Sequence, residues 1–477
     1  MGAPAIDERL SLLAAAREAP EQPALIVKGR VYTFAELAPR VQRCLDFLRA
    51  QPLQQTPWPR VALCADNRLE TALWLYALME LSVTAVLLHP RLVESERRAL
   101  LADCQPALVL DAQSEAALCG PVAPQHPGGV ERGAGPLAIL YTSGTTGRPK
   151  GAMLSRRAFL AAAAASAQNL GWQADDRWLL CMPLSHVGGL SILTRCLIAR
   201  RAVVLLGGAF EPQTVAAALV RDAVSLVSLV PTMLRRLLEL SPPWTPPPRL
   251  RAVLLGGAAA SAGLLQQAAA RAVPALTTYG LTEACSQATT QRYGTPPAAE
   301  HGAGEPIAGL QLRISPQDDQ IQLRSPTLFD GYWPPGPGAL PLTADGWFGT
   351  GDLGRLDAAG RLHVLARRTD LIVTGGENVY PVEVEQALER CAAVTAACVV
   401  GIPDPEWGHR VAAVLVARAE PIDLATLRQE LGLHLAAYKH PRQLLWVPAL
   451  PLNATGKVER ATAAQLLLTN LNTLPER

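Results

Sequence analysis

Short apolar runs alternate with longer amphipathic stretches through the first three quarters of the chain, and this alternation constrains the fold most strongly. The runs with the length of buried strands are 61–64, 83–88, 107–111, 137–141, 202–206, 224–230, 252–255 and 275–279. Helical patterns lie between them, such as Phe34–Arg49, Leu69–Leu81, Gln213–Arg221 and Leu264–Ala272. Strands alternating with helices form parallel sheets covered on both faces. We therefore predict an α/β protein whose ligands bind beyond the carboxyl ends of the strands.

The pattern changes after about residue 370, where helices and short strands follow one another more closely. The segments concerned are Val382–Arg390, Val394–Ile402, Val411–Val416 and Leu424–Leu435. A chain of 477 residues is long enough for two or more domains. The change of pattern marks the residues from about 370 onward as a distinct stretch of the chain.

The charge balance excludes several classes of partner. Lys and Arg number 43 against 41 Asp and Glu, a net charge of +2, which argues against nucleic acid or an anionic membrane as the main partner. Asp7, Glu8 and Arg9 interrupt the first amphipathic stretch, so no secretory signal is expected. The longest apolar candidate, Phe159–Ala167, is far shorter than the roughly 20 residues that span a bilayer, so no stable membrane insertion is expected.

The nine cysteines are scattered, odd in number and never spaced Cys-x-x-Cys. Reduced thiols in a cytoplasmic protein are the simplest expectation. The sequence leaves the oligomeric state open, with a homo-oligomer among the alternatives.

Residues 141–151 carry the most specific chemical signal, reading Tyr-Thr-Ser-Gly-Thr-Thr-Gly-Arg-Pro-Lys-Gly after an apolar run. Closely spaced glycines let backbone N–H groups approach phosphate oxygens, and Ser143, Thr145 and Thr146 add hydroxyl donors. Lys150 adds a positive charge. The stretch is not a Walker A loop, because Gly-Lys-Ser or Gly-Lys-Thr does not follow at the required spacing. It predicts a phosphate-binding loop of another kind.

Further motifs follow in order: Tyr279-Gly280-Leu281-Thr282-Glu283, Thr350-Gly351-Asp352, Arg367-Arg368-Thr369-Asp370, Gly375–Pro381 and Asn453-Ala454-Thr455-Gly456-Lys457. Together with the 141–151 stretch they resemble the signature of the acyl-adenylate-forming superfamily, which includes acyl-CoA ligases, luciferases and peptide-synthetase adenylation domains. The resemblance runs from about residue 137 to 460. It implies an AMP-binding domain over 1–367 and a mobile lid domain over 368–477, with a hinge at Thr369.

The resemblance also implies ATP, Mg²⁺ and coenzyme A as cofactors and a small carboxylic acid as substrate. A carboxylate with a pKa of about 4 is ionised at neutral pH, so attack on the α-phosphorus needs charge neutralisation and not a general base. Lys457 is the implied catalytic lysine, Thr282 a contact of the α-phosphate, and Glu283 with Thr145 the Mg²⁺ ligands. The implied nucleotide and CoA residues are Thr142, Ser143, Gly144, Thr145, Thr146, Gly147, Lys150, Gly256, Gly257, Ala258, Tyr279, Gly280, Asp352, Arg367, Gly375 and Gly376.

The acid should be selected by the stretches 178–193 and 228–234 and by Cys285-Ser286-Gln287, which look most like the o-succinylbenzoate–CoA ligases of menaquinone synthesis. A related ligase for another acid, such as a benzoate or a medium-chain fatty acid, is the alternative. His186, Arg195 and Thr232 are the candidate substrate residues, and His186 is also a candidate for the catalytic set. A non-reacting second carboxylate would need a cation such as Arg195. The competing interpretation is that Arg195 extends from its helix to the surface.

Overall fold

The computed structural model describes residues 7–55, 57–111, 114, 135–142, 149–367, 370–374, 377–404, 407–433, 435–453 and 456–471. Within them, helices alternate with strands over most of the chain. The helices are α1 (Leu12–Glu18), α2 (Phe34–Arg49), α3 (Leu69–Leu81), α4 (Glu94–Cys104), α5 (Arg156–Leu170), α6 (Val187–Ala199), α7 (Pro212–Arg221), α8 (Pro231–Leu238), α9 (Ala262–Ala270), α10 (Pro381–Leu388), α11 (Leu424–Leu431) and α12 (Arg460–Leu471). Short 3₁₀ turns occur at Glu8–Leu10, Thr282–Ala284, Ala299–His301 and Ala437–Lys439.

The strands divide among four sheets. In chain order they are β1 (Pro23–Val27), β2 (Arg30–Thr33), β3 (Arg60–Cys64), β4 (Thr84–Leu88), β5 (Leu108–Leu110), β6 (Ala138–Thr142), β7 (Lys150–Leu154), β8 (Arg177–Leu180), β9 (Ala202–Leu205), β10 (Leu226–Leu229), β11 (Ala252–Leu255), β12 (Ala275–Leu281), β13 (Ser286–Thr290), β14 (Glu305–Pro306), β15 (Gln311–Ile314), β16 (Gln320–Arg324), β17 (Phe348–Leu356), β18 (Leu362–Arg367), β19 (Ile372–Thr374), β20 (Glu377–Val379), β21 (Val394–Asp404), β22 (Gly408–Ala417) and β23 (Gln443–Trp446).

The largest sheet has nine strands in the order β14-β13-β12-β11-β10-β8-β9-β1-β2. Its six central strands, from β12 to β1, are parallel, and antiparallel strands close both edges. The chain order reverses between β8 and β10, which makes this point a topological switch. Loops after adjacent strands diverge at such a switch and leave a crevice at the carboxyl edge of the sheet.

A second sheet has the order β5-β3-β4-β6-β7, in which only β7 is antiparallel. A third, with the order β15-β16-β17-β18, is antiparallel throughout. The two parallel-rich sheets confirm the predicted α/β class.

The last sheet is built from the C-terminal part of the chain, in the order β20-β19-β22-β21 with β23 parallel to β22. Two apolar clusters flank it. One is formed by residues between Ile372 and Trp446, and the other by residues between Cys398 and Leu467. The clusters of the preceding part include no residue beyond Val364. The smaller C-terminal domain therefore has its own hydrophobic core.

Helix bounds follow the sequence pattern closely where caps are strong. α2 begins and ends as predicted, and Thr33 with Glu36 forms a capping box at its start. α11 is shorter than the predicted Leu424–Leu435 and ends at Leu431, because Gly432 follows and is a poor helix former. Within the described ranges, no helix combines the length and apolar character needed to cross a bilayer.

Candidate active site

Most of the predicted site residues lie at the carboxyl ends of parallel strands. Gly256, Gly257 and Ala258 follow β11, while Tyr279 and Gly280 lie in the last part of β12. His186 caps the start of α6 after β8, and Thr232 lies in the first turn of α8 after β10. His186 and Thr232 therefore flank the topological switch, where this class of sheet binds its ligands.

The predicted phosphate-binding loop falls between two antiparallel strands of the second sheet. Thr142 ends β6, Lys150 begins β7, and the two residues face each other in register. Ser143, Gly144, Thr145, Thr146 and Gly147 lie outside the described residues, as do Gly375 and Gly376. The Lys150 ammonium lies 5.2 Å from the centroid of the Tyr332 ring, which gives the cation a defined place beside the loop.

Tyr332 also holds the carboxylate predicted to bind Mg²⁺. Its hydroxyl donates to Glu283 Oε1 at 2.7 Å, and the Glu283 backbone carbonyl accepts from the Phe329 amide at 2.9 Å. Burial and the Glu283 carboxylate raise the pKa of Tyr332, so the phenol remains a donor. The sequence analysis missed Tyr332, whose Gly-Tyr-Trp context gives no signal of a link to Glu283.

Asp352 is a buried carboxylate that accepts hydrogen bonds from buried Tyr279 and from the more exposed Arg367. The Tyr279 hydroxyl donates to Asp352 Oδ2 at 2.7 Å, and Arg367 Nε donates to Asp352 Oδ1 at 3.1 Å. Asp352 and Arg367 are direct neighbours in the β17–β18 register. Burial and the charge of Asp352 raise the pKa of Tyr279 well above its usual value. Each carboxylate oxygen can accept more than one hydrogen bond, so Asp352 retains acceptor capacity for a diol.

Lys457 reaches this group from the C-terminal domain. A Cβ on Gly257 would lie 3.2 Å from Lys457 Cε, and Gly257 has a φ of +79°, so only glycine fits beneath the lysine. Lys457 keeps solvent access, but desolvation in the cleft and the charge of Arg367 lower the pKa of its ammonium. The structure thus brings Lys457, Asp352 and Arg367 together.

His186 faces a second imidazole that the sequence analysis did not single out. The His89 and His186 ring centroids are 5.5 Å apart, and the Nε2 atoms of both rings are buried without a hydrogen-bond partner. Burial, His89 and Lys457 lower the pKa of His186 to about 4, and burial with Arg91 lowers that of His89. His89 directly follows β4, and that position at a strand end was the available signal.

Arg195 lies deep in the structure, in the third turn of α6. The residue is 3% exposed, and its Nε and Nη2 atoms lack hydrogen-bond partners. Its guanidinium carbon lies 5.7 Å from the Trp178 ring centroid. The interpretation that Arg195 extends to the surface is therefore wrong. Burial lowers its pKa to about 10, so the side chain stays charged at neutral pH.

The geometry fits Mg²⁺ delivered with a nucleotide better than a resident metal centre. Among the described residues, no cluster of three or more His, Cys, Asp or Glu side chains could hold a metal ion. Glu283 has one oxygen occupied by Tyr332 and its other oxygen available. Mg²⁺ is commonly held by one or two carboxylates together with substrate phosphates.

This crevice and the lysine that enters it define an enzyme that acts on a nucleotide. The chain matches the family model of AMP-binding enzymes over residues 12–130 and 122–333. It matches the model of the AMP-binding enzyme C-terminal domain over residues 383–457. The chain therefore belongs to the AMP-binding enzyme family.

Within that family it is similar to proteins named for one acid. The 2-succinylbenzoate–CoA ligase of Enterococcus faecalis is 32% identical over 476 residues, covering 92% of this chain and 95% of the relative. The o-succinylbenzoate CoA synthetase (MenE) of Bacillus subtilis, solved with the acyl-adenylate OSB-AMP, is 32% identical with a TM-score of 0.85. The alignment covers 95% of this chain and 97% of the synthetase chain.

A double mutant of the same Bacillus subtilis synthetase, bound with the product analogue OSB-NCoA, has a lower TM-score of 0.69 at 32% identity. The alignment covers 94% of this chain and 97% of that chain. This chain is thus closer in overall arrangement to the acyl-adenylate complex than to the complex with the product analogue.

Proposed function

We propose that the protein is an ATP-dependent, AMP-forming 2-succinylbenzoate–CoA ligase. It joins the acid to AMP with release of pyrophosphate and then transfers the acyl group to coenzyme A. The observation that carries the reaction class is that Lys457, from the C-terminal domain, lies over Gly257 and near enough to Asp352, Arg367 and His186 to interact with them electrostatically. The similarity to ligases and synthetases named for 2-succinylbenzoate supports the choice of acid.

In the proposed adenylation step, Lys457 neutralises negative charge that grows between the attacking carboxylate and the α-phosphate. Thr282 contacts the α-phosphate. The loop of Thr142, Ser143, Gly144, Thr145, Thr146, Gly147 and Lys150 holds the outer phosphates. Asp352 and Arg367 bind the ribose hydroxyls. Tyr279 and Gly280 line one side of the adenine, with Gly256, Gly257 and Ala258 on the other.

Mg²⁺, when bound with ATP, neutralises phosphate charge. Glu283 is proposed to supply its free carboxylate oxygen, with Thr145 as a further ligand. Tyr332 keeps the Glu283 carboxylate in place by its hydrogen bond.

In the proposed thioester step, the C-terminal domain rotates so that the segment containing Gly375 and Gly376 lines the path of the CoA thiol. We place the boundary between residues 367 and 368 and the hinge at Thr369. The separate hydrophobic clusters on the two sides support this division.

We propose that Arg195 binds the carboxylate of the substrate that does not react. A buried guanidinium without a hydrogen-bonding partner is costly unless an anion satisfies it, and none of the described hydrogen bonds uses Arg195. Nine residues separate Arg195 from His186, about 13 Å along a helix. We propose that the acid lies between Arg195 and His186 and that Thr232 also borders it.

The choice of acid is tested by pyrophosphate release with a panel of carboxylic acids in the presence of ATP and CoA. 2-Succinylbenzoate should give the highest kcat/KM. Benzoate should be far poorer because it leaves polar groups of the pocket without partners. Turnover of benzoates or medium-chain fatty acids, with none of 2-succinylbenzoate, would assign the protein to another ligase.

The Arg195 role is tested by a double cycle of enzyme and substrate. Arg195→Leu should weaken acid binding by roughly 2–5 kcal/mol, with ATP affinity little changed. For an analogue that lacks the second carboxylate, Arg195→Leu should weaken binding little further, because both changes remove the same interaction. Arg195→Lys, which retains the charge, serves as the control. Additive losses would show that Arg195 and the carboxylate do not meet.

We propose a cytoplasmic location because the reaction consumes ATP and CoA, and because the nine cysteines are scattered and never spaced Cys-x-x-Cys. Small molecules are the proposed partners. Association into a homo-oligomer stays a prediction for analytical ultracentrifugation.

A further inference from the structure

Helix α8 lies between the two domains, directly beside the topological switch. It begins at Pro231, a favourable first helical residue, and presents Thr232 and Arg235 at an i, i+3 spacing. Both side chains hydrogen-bond backbone carbonyls of the C-terminal domain. One helix therefore contacts that domain at two separate points.

The first contact reaches the turn that carries Lys457. Thr232 Oγ1 donates to the Gly456 carbonyl at 2.8 Å. Gly456 has a φ of +78°, and a Cβ there would lie 3.2 Å from Thr232 Oγ1 and 3.4 Å from Val230 Cγ2. The close approach needs glycine, and it places the residue before Lys457 directly against the large domain.

Hydrogen bonds tie Lys457 to Asn453, so the position of the neighbouring Gly456 affects the position of the lysine. The Lys457 amide donates to Asn453 Oδ1 at 3.0 Å, and the Asn453 amide donates to the Lys457 carbonyl at 2.8 Å. If the contact between Thr232 and Gly456 is lost and the turn shifts, Lys457 moves away from its place over Gly257.

The second contact reaches a different strand of the C-terminal domain. Arg235 Nη1 donates to the Thr395 carbonyl, at the start of β21, at 2.6 Å. The half-buried carboxyl of Glu389, just after α10, is near enough to feel the charge of Arg235. Because the Arg235 donor is charged, its bond to the Thr395 carbonyl is stronger than a neutral hydrogen bond.

We propose that Thr232 and Arg235 are positioning residues that clamp the C-terminal domain in the arrangement where Lys457 serves adenylation, and that the clamp opens for the thioester step. The proposal rests on the proposed function. It assigns Thr232 a role through Lys457 in addition to its place beside the acid. The closer match to the acyl-adenylate complex than to the product-analogue complex agrees with a closed clamp in this structure.

The test measures the two half-reactions separately in Thr232→Val, Arg235→Gln and the double variant. Thr232→Val removes the hydroxyl at nearly constant volume. Adenylation, followed as single-turnover pyrophosphate release without CoA, should fall roughly five-fold, the value of one neutral hydrogen bond. Arg235→Gln should reduce it roughly ten-fold, with the KM for ATP little changed. Thioester formation from added acyl-adenylate and CoA should be unchanged or faster.

Arg236→Ala is the matched control on the same helix. Its side chain bonds the Phe210 carbonyl and pairs with Glu211, both within the large domain. Neither half-reaction should change in this variant. Equal losses in both half-reactions of the Thr232 and Arg235 variants would indicate a merely structural role and overturn the proposal, as would no loss in either.

Hydrogen exchange of the unliganded protein tests the clamp without any acid. Amides of 453–459 should exchange faster in Thr232→Val than in the wild type or Arg236→Ala. Unchanged exchange would overturn the clamp even in an active enzyme. Faster exchange in a protein that does not adenylate 2-succinylbenzoate would uphold the clamp and reject only the proposed acid.

Discussion

At the scale of single residues, the surrounding protein lowers the pKa values of two basic side chains in the candidate site, Lys457 and His186. Burial and Arg367 lower the pKa of Lys457, while His186 with a pKa of about 4 stays neutral near pH 7. The wall that would face the reacting carboxylate thus presents one ammonium and uncharged rings. Its charge complements an anion without a competing base.

Lys457→Ala should reduce acyl-adenylate formation by orders of magnitude while the protein stays folded. The reason is that no other described cation shares its position over Gly257. Thioester formation from added acyl-adenylate should continue in the variant. Circular dichroism provides the folding control, and adenylation that survives within a few fold would reject the role.

The pH dependence should lack an inflection from His186 near its ordinary pKa of about 6.5. A lowered pKa means that His186 becomes charged only as the pH falls toward 4. At the alkaline side, activity should fall as the pH rises through the lowered pKa of Lys457, below its ordinary 10.5. Profiles of kcat/KM for wild type and His186→Asn test this. An acid limb near 6.5 that disappears in the variant would contradict the assignment.

At the scale of elements, much of the framework was predictable from local sequence. The bounds of α2 follow from apolar periodicity and capping residues, whereas α3 matches a continuous apolar stretch that is buried on all sides. The family resemblance placed Asp352 and Arg367 among the residues of one nucleotide site. The contacts of Tyr332 with Glu283 and of His89 with His186 were not predictable, because they join elements far apart in the chain.

The amino ends of the central strands are fixed by an ion pair on the side opposite the crevice. Arg251, before β11, pairs with the fully buried side chain of Asp176, before β8, at 2.5 Å. The Ser225 hydroxyl, before β10, also donates to Asp176 at 2.7 Å. Although burial alone would raise the pKa of Asp176, these hydrogen bonds hold it below its ordinary value.

Asp176→Ala should therefore destabilise the large domain by about 3–5 kcal/mol, because it leaves Arg251 without its buried partner. Urea unfolding measures this, and kcat in native buffer should change little. Because the folded-state pKa is depressed, the contribution is present above about pH 4 and is lost as the pH falls below that value. Equal stability of wild type and variant at pH 7 would contradict the expectation.

At the scale of the whole molecule, each of the two parts has its own hydrophobic core, whereas the proposed active site needs residues from both parts. The cores of the two parts share no residue, yet Lys457 must cross from one to the other to complete the site. The resemblance of the motifs predicted both domains. It did not predict which side chains hold the parts together, because those contacts depend on the closed arrangement.

A fragment of residues 368–477 should fold on its own and unfold cooperatively in urea, since its two clusters need no residue of the large domain. Far-ultraviolet circular dichroism and a urea titration provide the measurement. Mixed with residues 1–367, it should restore little adenylation, because the tether that keeps Lys457 near the crevice is gone. A fragment without a cooperative transition would show that the cores depend on each other.

The order of these parts along the chain has a consequence for synthesis on the ribosome. Leu362 completes the described core of the large domain well before Lys457 is made. Domains generally fold from the N-terminus as the chain emerges. A nascent large domain can thus form its nucleotide crevice before Lys457 exists. With the role proposed for Lys457, the growing polypeptide would make no mixed anhydride until its second domain has been translated.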